Sequence, residues 1–565
     1  MQPLAALQHS VAKALATGRI GTPVAVRLAL NLSVDHGHLE RTAAWGLDVA
    51  AGWLNSRPQS LAAAGSVESG QIALLASMTG GQSALITVGS PGVGPSRIQA
   101  QIIGNRGQLS WEPGETQDIG QAAELDAGGS SGSLLEQIRE SLRRGSAVPC
   151  EANSLDDQRR AGEVSIPRFS LDRPKVSRPK LGPTPPPYGV LLVAGDHTHQ
   201  SNYAPLFAAD PRCRLVGLTD EPNLTPRRKE LNEQLARTLK IPLLPDLQQA
   251  LARDDVHIVS ICAEPMRRGE IILAAAKAGK HLYLDKPLAA TRDDLQQIAT
   301  ATLNSNTVHH MFSLVRSATA TRARQWITSG ELGEVVAAHF DLHFAKGHAG
   351  TAKLGTPRSE SASPDCYERA EAKRELTNVG VYPLVLLLWL LEARVEAVYA
   401  TTGNFFFREH HELDMEDFGQ VLLWLEGGRV STISVGRTGW RSHPAGGVNR
   451  VMLVGTKRTA IVDAHRPRVE AWTDAESWTA PLRNPADPMA MWSGSLTGTY
   501  AARPKLAWAT PDDAAAEEDV KFFLDCVEQG RKSDVPVELA GRASEVLLAA
   551  YQSAATSRVV RFSAE

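Results

Sequence analysis

Two stretches of this chain repeat one another, and that repeat constrains the fold more than any single motif. ATGRIGTPVAVRLALN (16–31) parallels TSGELGEVVAAHFDLH (328–343), and AWGLDVAAGWLNSRPQSLAAAGS (44–66) parallels GVYPLVLLLWLLEARVEAVYATTG (380–403), setting Trp53 opposite Trp389. GGQSALITVGS (80–90) matches GGRVSTISVGR (427–437), and QIIGNRGQLSW (101–111) matches MLVGTKRTAIV (452–462). LLEQIRESLRRGSAVP (134–149) is read against VKFFLDCVEQGRKSDVP (520–536). Two copies are too few for a solenoid, so the expectation is a duplicated domain. Residues 1–151 read as a degenerate copy of the α+β domain at 313–565, with no nucleotide-type domain before them.

Between the copies lies a segment rich in proline, ANSLDDQRRAGEVSIPRFSLDRPKVSRPKLGPTPPP (152–187). Proline fixes φ and lacks the backbone donor, so neither a helix nor an inner strand persists there, and the segment reads as a linker. After it the chain alternates apolar strands with helices: YGVLLVA, RLVGLTD, VHIVSICA and KHLYLD are the strands, and RGEIILAAAKAG is a helix closed by Gly279. Such alternation predicts a doubly wound, Rossmann-type parallel sheet over 188–312. From 313 the strands lengthen and alternate, Gly427-Gly428 marks a hairpin, and few helices intervene. The fold class is therefore α/β, followed by an α+β domain with an open, largely antiparallel sheet and preceded by the partial copy.

Composition narrows the partners. With 59 basic against 62 acidic residues, the chain offers no electrostatic case for nucleic acid or an anionic membrane. Its five cysteines never form a CxxC pair, which argues against a disulfide framework or Cys-rich zinc module and suits a reducing, cytoplasmic setting. The start lacks a basic segment followed by an apolar run, and the greasiest stretch, Val379–Leu391, is too short to span a bilayer. Because the chain opens inside a helix of the repeat, a nucleotide domain lost upstream of Met1 is a further reading.

The chemistry-bearing residues collect after the predicted strands. Gly195 follows the first, where a glycine turn sets a helix N-terminus against a pyrophosphate, but the other two glycine positions of the GxGxxG fingerprint hold His197 and Gln200. Both hinder approach of a phosphate; His197 and His199 could instead line the site. Asp220 closes the second strand at the spacing of an acid that accepts from an adenosine ribose, which favours NAD; Arg227 and Arg228 nearby would suit the 2′-phosphate of NADP. Ala263-Glu264-Pro265 follow the third strand and would lie along the cofactor. Asp285-Lys286-Pro287 end the fourth at the sheet's carboxyl edge, where open α/β sheets bind ligands and a lysine can orient a substrate hydroxyl. The histidines 339, 343, 348, 410 and 411 have no spacing that demands a metal.

AGKHLYLDKPLA resembles the AGKHVxxEKPxA signature of the glucose–fructose oxidoreductase, inositol dehydrogenase and rhizopine-catabolism (Gfo/Idh/MocA) family. The order of the later blocks is similar as well: SGELGEV, an apolar helix ending in WLL, a GG hairpin, then VGTK. The resemblance covers 188–562, and its C-terminal part alone covers 1–150. It implies Lys286 as a catalytic residue beside a nicotinamide, on a Lys-Pro bond often cis in relatives. The family's DxGxHxxDxxxWL signature is matched by Asn378-Val-Gly380-Val-Tyr382-Pro-Leu-Val385, with Tyr at the His position as in the branch resembling glucose–fructose oxidoreductases and dihydrodiol dehydrogenases. Asn378 cannot carry the charge of the usual Asp, and Val385 removes a second carboxylate. A phenol with a pKa near 10 needs a nearby cation such as Lys286 to exchange a proton near neutrality. In the first copy Thr42 and Gly46 stand at the positions of Asn378 and Tyr382, so that copy is expected to be catalytically silent.

The resemblance thus implies an NAD(P)-dependent oxidoreductase moving a hydride between nicotinamide and a carbinol or carbonyl carbon of a sugar, polyol or related cyclic compound. Lys286 and Tyr382 would be catalytic, Asn378 would join them around the substrate, and Gly195, His197, Asp220, Ala263, Glu264, Pro265, Asp285 and Lys286 would line the cofactor; no metal is expected. The family resembles dimers in which open sheet faces pack together, so either a homo-oligomer or an intramolecular pseudo-dimer through the duplicated sheet follows. The competing reading is a catalytically inactive relative that binds a ligand or serves as a scaffold. The degraded glycine fingerprint, Asn378 and the silent copy favour it.

Overall fold

Nine residues of alternating small and apolar character, PVAVRLALN, open the first sheet of the computed structural model, which describes residues 2–31, 38–90, 97–111, 131–150, 162–168, 181–194, 199–220, 224, 226–303, 305–345, 350–354, 374–438, 447–464, 469–470, 508–509 and 515–563. After helix α1 (Gln2–Ala16), strands β1 (Pro23–Asn31), β2 (Pro58–Ser66), β3 (Gln71–Met78), β4 (Ser83–Gly89), β5 (Arg97–Gly104), β6 (Gly107–Trp111) and β7 (Val148–Pro149) form a seven-stranded sheet ordered β6-β5-β1-β4-β3-β2-β7. Helices α2 (Leu39–Leu54) and α3 (Ser131–Arg144) supply the apolar layer on one face, where Leu47, Ala50 and Trp53 meet Val26, Leu28 and Ile86.

Continuous apolar strands produce the second sheet, as expected for strands buried on both faces. Strands β9 (Tyr188–Val193), β10 (Cys213–Thr219), β11 (Leu243–Leu244), β12 (Ile258–Ile261), β13 (His281–Leu284) and β14 (His309–Met311) pair only in parallel, in the order β11-β10-β9-β12-β13-β14. This is the doubly wound order, whose direction of winding reverses between β9 and β12. Helices α4 (Gln200–Ala209), α5 (Pro226–Leu239), α6 (Leu247–Leu251), α7 (Pro265–Lys277) and α8 (Arg292–Leu303) alternate with the strands. Gly279 ends α7 with a positive φ of 69°, the left-handed geometry a glycine C′ residue allows. The two edge strands β11 and β14 were missed in the sequence because two and three residues are too few for a periodicity.

Following α9 (Ala318–Thr328), the last sheet is built from β15 (Val335–Ala345), β16 (Val395–Gly403), β17 (Phe418–Leu425), β18 (Arg429–Thr438), β19 (Asn449–Gly455), β20 (Thr459–Asp463) and β23 (Val559–Phe562), with the two-stranded ribbon β21 (Val469–Glu470) and β22 (Trp508–Ala509) apart from it. Its order, β20-β19-β15-β18-β17-β16-β23, retraces that of the first sheet strand for strand. In both sheets one central pair is parallel, β1–β4 and β15–β18, while β1–β5 and β15–β19 run antiparallel and slip register between Pro23 and Ala25 and between Val335 and Ala337.

Helices α10 (Glu375–Leu391) and α13 (Val537–Thr556) cover one face of this sheet, α11 (Arg408–Glu412) is short, and α12 (Ala515–Gln529) packs elsewhere, laying Val520, Phe523 and Leu524 on Tyr188 and Val190 of the Rossmann-type sheet and Phe207 of α4. The fifth repeat block therefore needs realignment. Ser141 of α3 accepts from the Ala63 amide and donates to Ser146 O, at 2.9 and 2.7 Å; Ser553 of α13 accepts from the Ala400 amide and donates to Arg558 O, at 3.0 and 2.6 Å. The counterpart of α3 is α13, not α12.

The proline-rich segment is not wholly a linker. Ahead of Pro167, β8 (Glu163–Ile166) adds an eighth, parallel edge strand against β23, leaving residues 151–161 and 169–180 outside the described part. Edge positions tolerate the neighbouring prolines that an inner strand would not.

The faces of the two large sheets that carry no helices pack on each other. Ala29, Ala62, Ala64, Ala73 and Leu75 meet Ala337, Ala397, Tyr399, Leu422 and Val454, small residues from one side allowing close approach. Polar contacts cross the same seam: Arg27 Nε lies 2.7 Å from Asp341 Oδ1, and the Ser60 and Tyr399 hydroxyls are 3.1 Å apart. At one end of the seam Val24, Ala25 and Ile103 back onto Phe405, Phe406 and Phe407.

Candidate active site

The carboxyl ends of β9, β10, β12 and β13 lie side by side, and most of the residues singled out in the sequence fall there. Gly195 and His197 are outside the described residues, as are the side chains of Arg227 and Arg228, whose backbone opens α5. Gln200 is described, and its side chain folds onto the sheet, Nε2 donating to Val193 O (3.1 Å) and Ser260 O (2.8 Å) while Oε1 accepts from Ser260 Oγ (3.0 Å). It thereby ties β9 to β12 where the winding reverses. Asp220 closes β10, part-exposed, with Asn232 Nδ2 donating to Oδ1 at 2.9 Å.

Asp285 is fully buried and faces protein groups. Tyr203 donates to Oδ1 at 2.8 Å, His199 Nδ1 stands 3.0 Å from the same oxygen, and the Arg268 guanidinium is 3.5 Å from Oδ2. His199, read from the sequence as a cleft-lining residue, thus fastens the start of α4 to the Asp-Lys-Pro turn. Arg268, one turn into α7, donates to Ala263 O (2.6 and 2.9 Å), Asp285 O (2.9 Å) and Pro287 O. It satisfies carbonyls of both strand ends at once, and burial of so polar a group requires such pairing. Nothing in RRGE distinguishes Arg268 from Arg267 without the fold, and Tyr203 was equally silent. Glu264 is fully buried at the start of α7, and Pro265 takes the first helical position.

Lys286 sits on a cis Lys286–Pro287 peptide and is 2% exposed. Its Nζ donates to Asn378 O at 2.9 Å and to Asn378 Oδ1, and lies 5.2 Å from the centre of the Tyr382 ring. The structure therefore brings Lys286, Asn378 and Tyr382 together, the last two from α10, at the carboxyl edge of β13. Burial first, then the carboxylates of Asp285 and Asp519, hold the Tyr382 phenol well above its ordinary pKa. A small pocket opens beside Tyr382, its wall including Ser317, Thr319, Leu386 and Asn449.

The residues present fit a dinucleotide. A part-exposed carboxylate at the end of β10 suits a ribose diol, and the winding reversal at β9–β12 leaves the crevice such cofactors occupy. On α2 the backbone runs close to the first sheet at Gly46, where a Cβ would lie 2.9 Å from Ile86 Cγ2. Among the described residues no group of three or more potential metal ligands occurs, and no helix is long and apolar enough to cross a membrane.

Comparison with known proteins agrees with this geometry. The NAD-binding Rossmann-fold oxidoreductase family matches residues 192–312, and the GFO/IDH/MocA C-terminal domain matches 320–461. Levoglucosan dehydrogenase of Pseudarthrobacter phenanthrenivorans is 32% identical over 92 residues, 16% of this chain and 24% of that protein. An uncharacterized oxidoreductase of Streptococcus pneumoniae is 21% identical over 234 residues, 41% of this chain and 59% of that protein. The matched stretches thus span less than two thirds of either relative. Among solved structures, GenD2 from gentamicin A biosynthesis, in complex with NAD, superposes with a TM-score of 0.51 at 21% identity, covering 69% of this chain and all (100%) of that one. A putative myo-inositol dehydrogenase from Sinorhizobium meliloti gives 0.50 at 17%, covering 66% and 100%. Residues 192–312 and 320–461 thus carry, one after the other, the two domains of the Gfo/Idh/MocA family of oxidoreductases.

Proposed function

We propose that the protein is an NAD-dependent dehydrogenase or reductase, with NADP as the alternative cofactor, acting on a carbinol or carbonyl carbon of a sugar, polyol or related cyclic compound. The observation that carries the reading is the convergence of Lys286 and Tyr382, 5.2 Å from ammonium to ring, at the carboxyl edge of a doubly wound sheet. Levoglucosan and inositol dehydrogenases among the relatives and neighbours support the substrate class. Gly195, His197, Asp220 and the segment Ala263–Pro265 would hold the cofactor, whose nicotinamide supplies or accepts the hydride. Lys286 orients and polarises the reacting oxygen, while Tyr382, kept protonated by its surroundings, donates a proton to that oxygen in the reductive direction. Asn378 holds the lysine. Asp285 supports the turn from beneath through its protein partners.

The same proposal includes residues 1–151 as a second, catalytically silent copy of the C-terminal domain. It covers the open face of the catalytic domain's sheet within one chain, in the manner of a dimer partner. The matching strand order, register slips and the Ser141 and Ser553 bonds support it.

Calorimetry with NAD+, NADH, NADP+ and NADPH on the full chain tests the cofactor assignment. Binding of one pair at micromolar levels, followed by turnover in a sugar and polyol screen that Lys286→Ala abolishes, is the expected outcome. Absence of binding by all four would refute it.

A further inference from the structure

We propose that Glu375 is a positioning residue for Lys286, acting through Asn378; the inference rests on the assignment of Lys286 to the site just described. Asn378 meets the lysine with an uncharged amide, which carries no charge of its own to the ammonium. The fold supplies one from a different position. Glu375 opens α10 three residues before Asn378, and a three-residue step places both on one face of a helix.

The geometry then runs as a chain. Asn378 Nδ2 donates to Glu375 Oε2 at 3.3 Å, and the other carboxylate oxygen is held by Arg437 Nε at 2.7 Å and His410 Nε2 at 3.1 Å. Glu375 and both groups around that oxygen are buried: Glu375 is fully enclosed, His410 is 1% exposed and Arg437 6%. A primary amide has one donating and one accepting end. An ionised carboxylate accepts only. With its amino end committed to Glu375, Asn378 must turn Oδ1 toward the Lys286 ammonium, which donates to it and to the Asn378 carbonyl. The reversed amide would set N–H against N–H at the lysine. Burial alone would raise the Glu375 pKa, but Arg437, then His410, outweigh it and hold the group at about 2. The carboxylate is therefore present across the working range of any dehydrogenase.

The far side of this chain is anchored as firmly. His410 follows the Phe405–Phe407 segment, whose three backbone amides donate to Asp417 at 2.8, 2.8 and 3.0 Å. Arg437 N donates to Asp417 O at 2.8 Å. Asp417 thus fixes both groups that grip Glu375, and the N-terminal sheet presses on the same phenylalanines through Val24, Ala25 and Ile103.

The test is the protonation midpoint of Lys286, read in the full chain by NMR of [13Cε]lysine, with the signal assigned by its loss in Lys286→Arg. A carboxylate one hydrogen bond away raises an ammonium's proton affinity, and a firmly oriented Asn378 oxygen does the same. Glu375→Gln is expected to lower the Lys286 proton affinity about tenfold, and in an Asn378→Leu background to add less than twofold. Should Glu375→Gln fail to fold with Arg437 left unpaired, Glu375→Asp decides: it keeps a charge for Arg437 but withdraws the carboxylate from Asn378, and a fall of at least threefold is expected. A change below twofold in every folded variant overturns the proposal. The nucleotide calorimetry is read separately, so failure of the oxidoreductase assignment and failure of the Glu375 role are distinguished.

Discussion

Arg27→Met removes one charge from the seam between the two large sheets. Arg27 and Asp341 are each 2% exposed, and the pair closes at 2.7 Å, with Arg450 Nε and NH2 holding the other Asp341 oxygen at 3.0 Å. Breaking a buried ion pair from one side costs roughly 3–5 kcal/mol, because the remaining charge is left in a low-dielectric setting. Here Arg450 still faces Asp341, which puts the expected cost at the lower end, about 3 kcal/mol. Three domains need not unfold together, so a global melt is the wrong assay. Amide hydrogen exchange followed by mass spectrometry reads the opening of β1 and β15 individually. Their protected amides should exchange on the order of a hundredfold faster in the variant, at about 1.4 kcal/mol per decade. Replacing the whole charged group, Arg27→Met with Asp341→Asn and Arg450→Met, should recover at least half of that loss, since no uncompensated buried charge remains. Exchange within threefold of the parent in Arg27→Met, or a triple variant worse than the single, would refute the reasoning.

Gln200→Ala deletes three buried hydrogen bonds between α4, β9 and β12 and leaves the Ser260 hydroxyl without its acceptor; a loss of about 1–3 kcal/mol in the local opening of β9 is expected, read by the same exchange method. Lys286→Ala should reduce turnover by roughly 10²–10⁴ while nucleotide affinity, measured by calorimetry, changes little. Acid should weaken the fold well before the carboxylates titrate. Burial depresses His281 and His309 to about 4 and His339 to about 3, so the unfolded chain takes up protons first, and stability falls as pH drops from about 6.5 toward 4, by on the order of 3 kcal/mol per histidine. Asp417, raised to about 6 by burial, opposes this by stabilising the acid side, lost as pH rises through 6; urea midpoints between pH 4 and 7 should nevertheless decline toward acid, because three groups outweigh one.

The parts of the molecule that were legible in the sequence are those written in periodicity and punctuation. Continuous apolar runs gave β9, β10, β12 and β13, Gly279 gave the end of α7, and Gly427-Gly428 gave the turn before β18. Lys286, Asn378 and Tyr382 were legible because each lies in a short, ordered motif, and they do meet. What escaped notice depends on partners far away in the chain. Glu375 is an ordinary helix-opening residue until Arg437 and His410 close on it, and Arg268 is one of two adjacent arginines until two strand ends converge beneath α7. The partners of Gln200 were hidden for a related reason: a side chain's identity gives its size, whereas only the fold gives its direction. The fifth repeat block was matched to α12 because amphipathic helices resemble one another, and a shared serine bond to the neighbouring strand was needed to select α13.

The face-to-face sheets carry a consequence for how this protein can vary. In a two-fold dimer every contact occurs twice, so a residue that suits one partner must also suit its own image. Joining both sheets in one chain lifts that requirement. Arg27 meets Asp341, yet by the shared register of β1 and β15 the mirrored positions are His339 and Ala29, which carry no such charge pair. Each surface is free to drift on its own. The association is also indifferent to dilution, because no second molecule has to be found. A protein built this way keeps its sheet covered at any concentration in which the chain itself survives.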